Sequence, residues 1–198
     1  IGHIKRVSTV EEARAYIESV RKTYHDARHV CSAFIIGADR DIQRSSDDGE
    51  PAGTAGVPMM QALLVRQTRE DGTTDLSDVV AVVVRYFGGI KLGAGGLVRA
   101  YTDSVVQTLD GALFDSRERL RVGKVPSSHA DAGRLENEIR AAGLNVLGTE
   151  YSAEGAMISL GVFDRPEELA RAEELVVSLS SGAASVTWGD TQWVDLPV

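Results

Sequence analysis

The residues best placed to do chemistry lie in two glycine-rich segments, 45–58 and 85–101. In the second, Gly88-Gly89-Ile90-Lys91-Leu92-Gly93-Ala94-Gly95-Gly96 follows an apolar run and opens into a helical pattern. A helix start offers free N–H groups and a positive dipole end, so it attracts anions. Arg85, Lys91 and Arg99 bracket that start. We expect Arg85, Lys91, Gly93, Gly95, Gly96 and Arg99 to form an anion- or RNA-binding site. The named phosphate motifs do not fit. A P-loop ends in Gly-Lys-Ser/Thr, whereas Leu92 follows Lys91, and the dinucleotide fingerprint wants glycine where Val98 stands. The structural alternative is that the glycines only permit tight turns and close helix–sheet packing.

In the first segment, Asp47-Asp48-Gly49-Glu50 is too short of oxygens, and wrongly spaced, for a calcium loop, and no metal site is expected. Asp47 and Asp48 suit a turn in which their side chains bond nearby amides. Alternatively these carboxylates pair with Arg85 or Arg99 and fix one glycine-rich segment against the other. Asp47, Asp48, Gly49, Glu50, Gly53 and Thr54 are thus expected in a structural or binding loop. His29 and Cys31 lie two apart on a β-rich run and share a face, as a thiol–imidazole pair would. Neither has an identifiable orienting carboxylate, and free cysteine is usually buried, so Cys31 is read as structural. Ser45 and Ser46 lack a Gly-x-Ser-x-Gly elbow. His25 and His129 read as surface residues. No catalytic residue and no cofactor emerges.

The elements that position these segments are legible from periodicity. Ser8 or Thr9 with Glu11 or Glu12 makes a capping box for a helix carrying Ala13, Tyr16, Ile17, Val20 and Tyr24. In the strand His29–Gly37, Val30, Ser32, Phe34 and Ile36 take one face and Cys31, Ala33 and Ile35 the other. Residues 44–58 read as turns, broken by Gly49, Pro51, Gly53 and Gly56, before a helix over 59–66. Val79–Val84 reads as a central strand covered on both faces. A helix then presents Leu97, Tyr101, Val105, Leu109 and Leu113 as one stripe, with Arg99, Asp103 and Gln107 on another face.

From about Asp115 the pattern restarts as βαββαβ, the ferredoxin-like arrangement. Its strands are one through Leu120 and Val122 stopped by Pro126, then 144–151, 156–163 and 184–194. Its helices are one capped by Ser127 or Ser128 and one starting near Pro166. Two domains follow, 1–114 and 115–198, in an α/β (α+β) chain.

Composition sets the outer limits. There is no apolar run of about 20 residues, so no membrane span is expected. A single cysteine, Cys31, fits a reducing compartment, and a cytoplasmic protein is expected. The net charge of −8 argues against coating nucleic acid through a broad basic surface. It divides unevenly. Residues 1–114 hold 13 Lys+Arg against 15 Asp+Glu, and residues 115–198 hold 8 against 14, so an anionic partner should meet the first domain.

Two stretches carry a resemblance to a known family. Ser46-Asp47-Asp48-Gly49-Glu50-Pro51-Ala52-Gly53-Thr54-Ala55-Gly56-Val57-Pro58 resembles the first signature of the YigZ/IMPACT family. The run from Arg85-Tyr86-Phe87-Gly88-Gly89-Ile90-Lys91 through Leu92-Gly93-Ala94-Gly95-Gly96-Leu97-Val98-Arg99-Ala100-Tyr101 resembles its second. The likeness spans about residues 3–114, and the βαββαβ tail is similar to the second domain of the bacterial branch. It implies a first domain with the α/β fold of a ribosomal protein and of elongation factor G, and a second like a ferredoxin-like domain of that factor. It also implies a regulatory, translation-linked or nucleic-acid-contacting role, since the eukaryotic relatives bind a partner in the translational stress response and are not enzymes. The partners so implied are RNA, the ribosome or a translation-related protein. The competing expectation is an enzyme acting on a small phosphorylated or otherwise anionic substrate at the helix start.

Overall fold

In the computed structural model, which describes residues 1–196, the chain divides into two units, Ile1–Phe114 and Asp115–Val198. The first runs β1 (Gly2–Arg6), α1 (Val10–Thr23), β2 (His29–Ile36), β3 (Ile42–Ser46), α2 (Gly56–Leu64), β4 (Val79–Arg85) and α3 (Gly93–Asp110). Its strands form one antiparallel sheet in the order β1-β4-β2-β3. The two inner strands are the two most apolar segments, because each must bury both faces. Alternation along β2 divides the core as the pleat demands. Cys31, Ala33 and Ile35 meet Met59 and Leu63 of α2 and Leu97, Tyr101, Val105 and Leu109 of α3. Val30, Phe34 and Ile36 meet Ala13 and Val20 of α1 on the opposite face.

The start of α1 follows its sequence. The Thr9 hydroxyl accepts the Glu12 N–H at 3.1 Å, and the Glu12 carboxylate reaches back to the Ser8 N–H at 2.6 Å. Elsewhere several ends differ from the pattern. β1 and β3 are strands that periodicity does not mark, and residues 44–46, expected to turn, pair with β2. α2 begins at Gly56, not Met59, and ends at Leu64. α3 begins at Gly93, within the glycine run where the helix start is expected, and closes at Asp110, which leaves Leu113 outside the helix and fully exposed.

The second unit runs β5 (Ser116–Ser127), α4 (Ala132–Ala141), β6 (Asn145–Tyr151), β7 (Ala156–Phe163), α5 (Pro166–Leu179) and β8 (Thr187–Leu196). This is βαββαβ, with one antiparallel sheet in the order β6-β7-β5-β8. Both helices lie on one sheet face, where Val125, Ile158, Leu160 and Val162 pack with Leu135, Ile139, Ala172 and Val176. Pro126 does not stop β5. Beyond Lys124 the strand has only β7 beside it, so a missing N–H on the β8 side breaks no ladder bond. β8 begins at Thr187 rather than Ala184, because the Ala184 N–H turns back to the Ser180 hydroxyl at 3.0 Å. The chain is thus a mixed α/β protein. No helix among the described residues is long and apolar enough to cross a membrane.

Between the units, Gly111, Leu113, Phe114 and Asp115 are exposed. Exposed backbone of this kind is where proteases cut first. Limited proteolysis is expected to nick near residues 111–116 and release a stable fragment of about 80 residues. Cuts spread evenly along the chain would count against two separately folding units.

Candidate functional site

Asp47, Asp48 and Glu50 each hold a different element. Asp47 faces the start of α2, whose first N–H groups have no partner within the helix. Its carboxylate accepts from the N–H groups of Gly53, Ala55 and Gly56 at 2.8, 3.0 and 2.7 Å. Burial pushes the Asp47 carboxyl up, but these three bonds outweigh it and hold it below the ordinary range. Gly56 sits there because the backbone of β3 is too close for a side chain: a Cβ would lie 2.8 Å from Ser46 N. Asp48 accepts the Val30 N–H at 2.7 Å and both arms of a contact with Arg21 Nη1 at 3.0 and 3.1 Å. So α1, β2 and α2 are tied to one loop.

Glu50 joins the two glycine-rich segments. Its side chain is 3% exposed, and Oε1 accepts from Arg85 Nη1 at 2.5 Å and from the Tyr101 hydroxyl at 2.8 Å. Burial alone would raise the Glu50 carboxyl; the Arg85 and Tyr101 bonds and the nearby His29 and Arg85 charges lower it further than burial raises it. His29 Nε2 lies 3.9 Å from the other oxygen, and its Nδ1 donates to the Asp48 carbonyl at 2.9 Å. The single S–H of Cys31 is shared between the Asp47 carbonyl at 3.0 Å and the Tyr101 oxygen at 3.3 Å. Burial pushes the thiol up to about 12, and burial likewise raises Tyr101. The thiolate is the nucleophile in cysteine chemistry, and this thiol is held protonated. Cys31→Ser is therefore expected to shift the unfolding midpoint only modestly. A thiol reagent such as Ellman's should label Cys31 only as the protein unfolds; rapid labelling of the native protein would restore a reactive role.

The loop and helix start beyond Arg85 are arranged differently. Arg85 ends β4 with its guanidinium committed to Glu50, but Lys91 and Arg99 are exposed and have no ion-pair partner among the described residues. Of the carboxylates expected to pair with Arg85 or Arg99, only Glu50 does so. No side chain caps α3, and its first turn holds no acid. The three glycines there differ in what the fold asks of them. Gly93 has φ +70°, which a side chain resists, and a Cβ on Gly96 would lie 3.0 Å from Leu92 Cβ. Gly95 has nothing within 4 Å of where a Cβ would sit. Between Arg85 and the helix, Tyr86, Phe87, Ile90 and Leu92 are all exposed, Ile90 at 73%. The Tyr86 hydroxyl is anchored to Asp26 at 2.8 Å, and the Arg85 guanidinium lies over the Phe87 ring, 5.9 Å from its centroid.

Of the remaining expected loop residues, Gly49 packs beside the His29 ring, Gly53 donates to Asp47, and Thr54 is buried with its hydroxyl on the Pro51 carbonyl at 2.6 Å. Periodicity did not mark Arg21, His29 or Tyr101 as members of this network. Tyr101 carries a signal, since a tyrosine on a core stripe needs an acceptor for its hydroxyl, and His29 carries one in sharing a strand face with Cys31. Among the described residues no group of three or more His, Cys, Asp or Glu side chains is placed to hold a metal ion.

The model of the Impact N-terminal domain family matches residues 1–109. Across all 198 residues the chain is 36% identical to the IMPACT family member YvyE of Bacillus subtilis (strain 168) and spans 86% of that protein. Over 102 residues it is 51% identical to the IMPACT family member YigZ of Escherichia coli (strain K12), a match covering 50% of this chain and 46% of that one. A solved structure described as "Crystal structure of an hypothetical protein" is 31% identical, with a TM-score of 0.62, covering 93% of this chain and 85% of the other.

Proposed function

The chain belongs to the IMPACT family, and from that premise we propose that it is a non-catalytic binding protein linked to translation, whose first unit meets RNA, the ribosome or a translation factor through the loop before α3. One observation carries this reading. The ionisable groups of the two glycine-rich segments divide into those consumed inside the fold and those left outside it. Asp47, Asp48, Glu50, Arg85, Tyr101 and Cys31 satisfy one another or the backbone, which gives a rigid support rather than a reacting set. Lys91 stands outside just before the uncapped start of α3, and Arg99 stands outside on its second turn. A base for catalysis needs a proton it can take, and Glu50 is held ionised by donors that occupy it. What favours anion binding over a merely structural run of glycines is Gly95, a glycine on which neither backbone angle nor packing insists.

The test is capture from lysate on the immobilised protein and on Gly95→Val. Since a Cβ at position 95 meets nothing, the variant is expected to fold with little change in its melting curve. Its branched side chain would nonetheless cover the N–H groups of the first turn. Ribosomal RNA or translation factors should co-purify with the natural protein, and at least tenfold less with Gly95→Val, about 1.4 kcal/mol. Equal capture by both would place the binding surface elsewhere, and capture of a metabolite alone would favour an enzyme.

A further inference from the structure

We infer that the ligand taken by this loop is single-stranded RNA, one of whose bases stacks on Phe87 while its phosphates meet Lys91 and Arg99; this deepens the binding reading above and rests on it. Phe87 is 46% exposed, a large open area for an aromatic ring. Its position is not that of a loosely hung side chain. The guanidinium of Arg85 lies over the ring, and that guanidinium is held by the buried carboxylate of Glu50 at 2.5 Å. The neighbouring Tyr86 is tied by its hydroxyl to Asp26 at 2.8 Å. The ring is therefore a platform, backed by a cation and rooted in the core, with the rest of its surface open.

A planar, electron-rich surface backed by the Arg85 guanidinium, on the loop that also carries Lys91, suits a nucleobase attached to a phosphodiester. Bases stack on aromatic side chains without sequence preference, and adjacent cations follow the backbone. Paired bases cannot use such a platform, because both their faces are already stacked within the duplex; single strands, bulges and loops can. Charge complementarity favours RNA over an apolar protein groove. Lys91 and Arg99 are exposed cations with no ion-pair partner among the described residues, Lys91 on the loop that carries Phe87 and Arg99 on the helix that loop opens into. The exposed Ile90 and Leu92 add apolar contact beside the ring.

The experiment measures fluorescence anisotropy at one fixed salt concentration with three probes: single-stranded oligouridylate, a duplex RNA of equal length, and polyphosphate of equal charge. The single strand is expected to bind at least tenfold more tightly than the other two. Phe87→Ala should remove that advantage, a loss of about tenfold, while leaving polyphosphate binding unchanged. Phe87→Tyr, which keeps the ring, should restore it. Equal binding of all three probes, with Phe87→Ala silent, would overturn the stacking inference and leave the anion site standing. Failure of every probe to bind even at low salt would overturn both. If Phe87→Ala instead abolished capture of a translation factor and no probe bound, the ring would be a protein contact and the inference would be wrong.

Discussion

Glu50→Ala is expected to destabilise the first unit by about 3–5 kcal/mol, the usual penalty for removing one partner of a buried ion pair. The change does more than delete an attraction. It leaves the guanidinium of Arg85, a side chain 19% exposed, without its counter-charge, and the hydroxyl of Tyr101, a residue 1% exposed, without its acceptor. Each stranded group then bears its own desolvation penalty. Glu50→Gln keeps an oxygen for both donors and loses only the charge, so its effect should be smaller, about 1–3 kcal/mol. Urea unfolding followed by tryptophan-independent far-UV circular dichroism would report both. A loss below about 1 kcal/mol for Glu50→Ala would show that the pair is wetter than its burial implies.

The same residue gives a pH dependence with a definite sign. The folded carboxyl is held below the ordinary glutamate value of about 4.3. A depressed carboxyl contributes stability that is fully present above its unfolded pKa and is lost as pH falls through the folded one. The natural protein should therefore lose stability in acid below about pH 4.3, and its advantage over Glu50→Ala should shrink across that window. Asp47, lowered against burial by three backbone donors, adds to the same acid sensitivity.

The parts of this fold that sequence makes legible are those where one face is buried by many residues of one period. The alternation of β2 separates Val30, Phe34 and Ile36 from Cys31, Ala33 and Ile35, and the helices above and below collect those two sets. The stripe Leu97, Tyr101, Val105 and Leu109 likewise fixes the buried face of α3. β1 and β3 were not legible because they are edge strands with little apolar pattern; every residue of β3 is exposed, and its pairing with β2 alone makes it a strand. Propensity misplaces the start of α2 for a related reason. Glycine is a poor helix former, yet Gly56 follows a carboxylate that binds the orphan N–H groups. At the site, the residue types and the Glu50–Arg85 pairing were within reach of spacing and charge. The Arg21–Asp48 bond, across 27 residues, and the Cys31–Tyr101 contact, across 70, were not, since only the tertiary fold brings them together.

Lys91→Ala and Arg99→Ala should each weaken RNA binding by about 10- to 150-fold, the range for one charge-assisted hydrogen bond of about 1.5–3 kcal/mol. Lys91 precedes the helix, whereas Arg99 lies six residues into it, a rise of about 9 Å. Two cations so separated reach different phosphates, and at a separation comparable to the Debye length of about 10 Å at 0.1 M salt their mutual repulsion is already reduced. Their losses should therefore be nearly additive, and the double variant should fall by about 100-fold or more. The salt dependence supplies a sharper check. Each phosphate contact with a single strand contributes about −0.7 to the slope of log K against log salt. Each substitution should flatten the slope by about that amount, and the pair by about 1.4. Lys22→Ala is the control, because Lys22 is an exposed cation on α1, which packs on the sheet face opposite α3. If Lys22→Ala flattened the slope as much as Arg99→Ala, the attraction would be a diffuse property of the unit. If neither Lys91→Ala nor Arg99→Ala moved it, the cations beside the helix start would have no phosphate to meet.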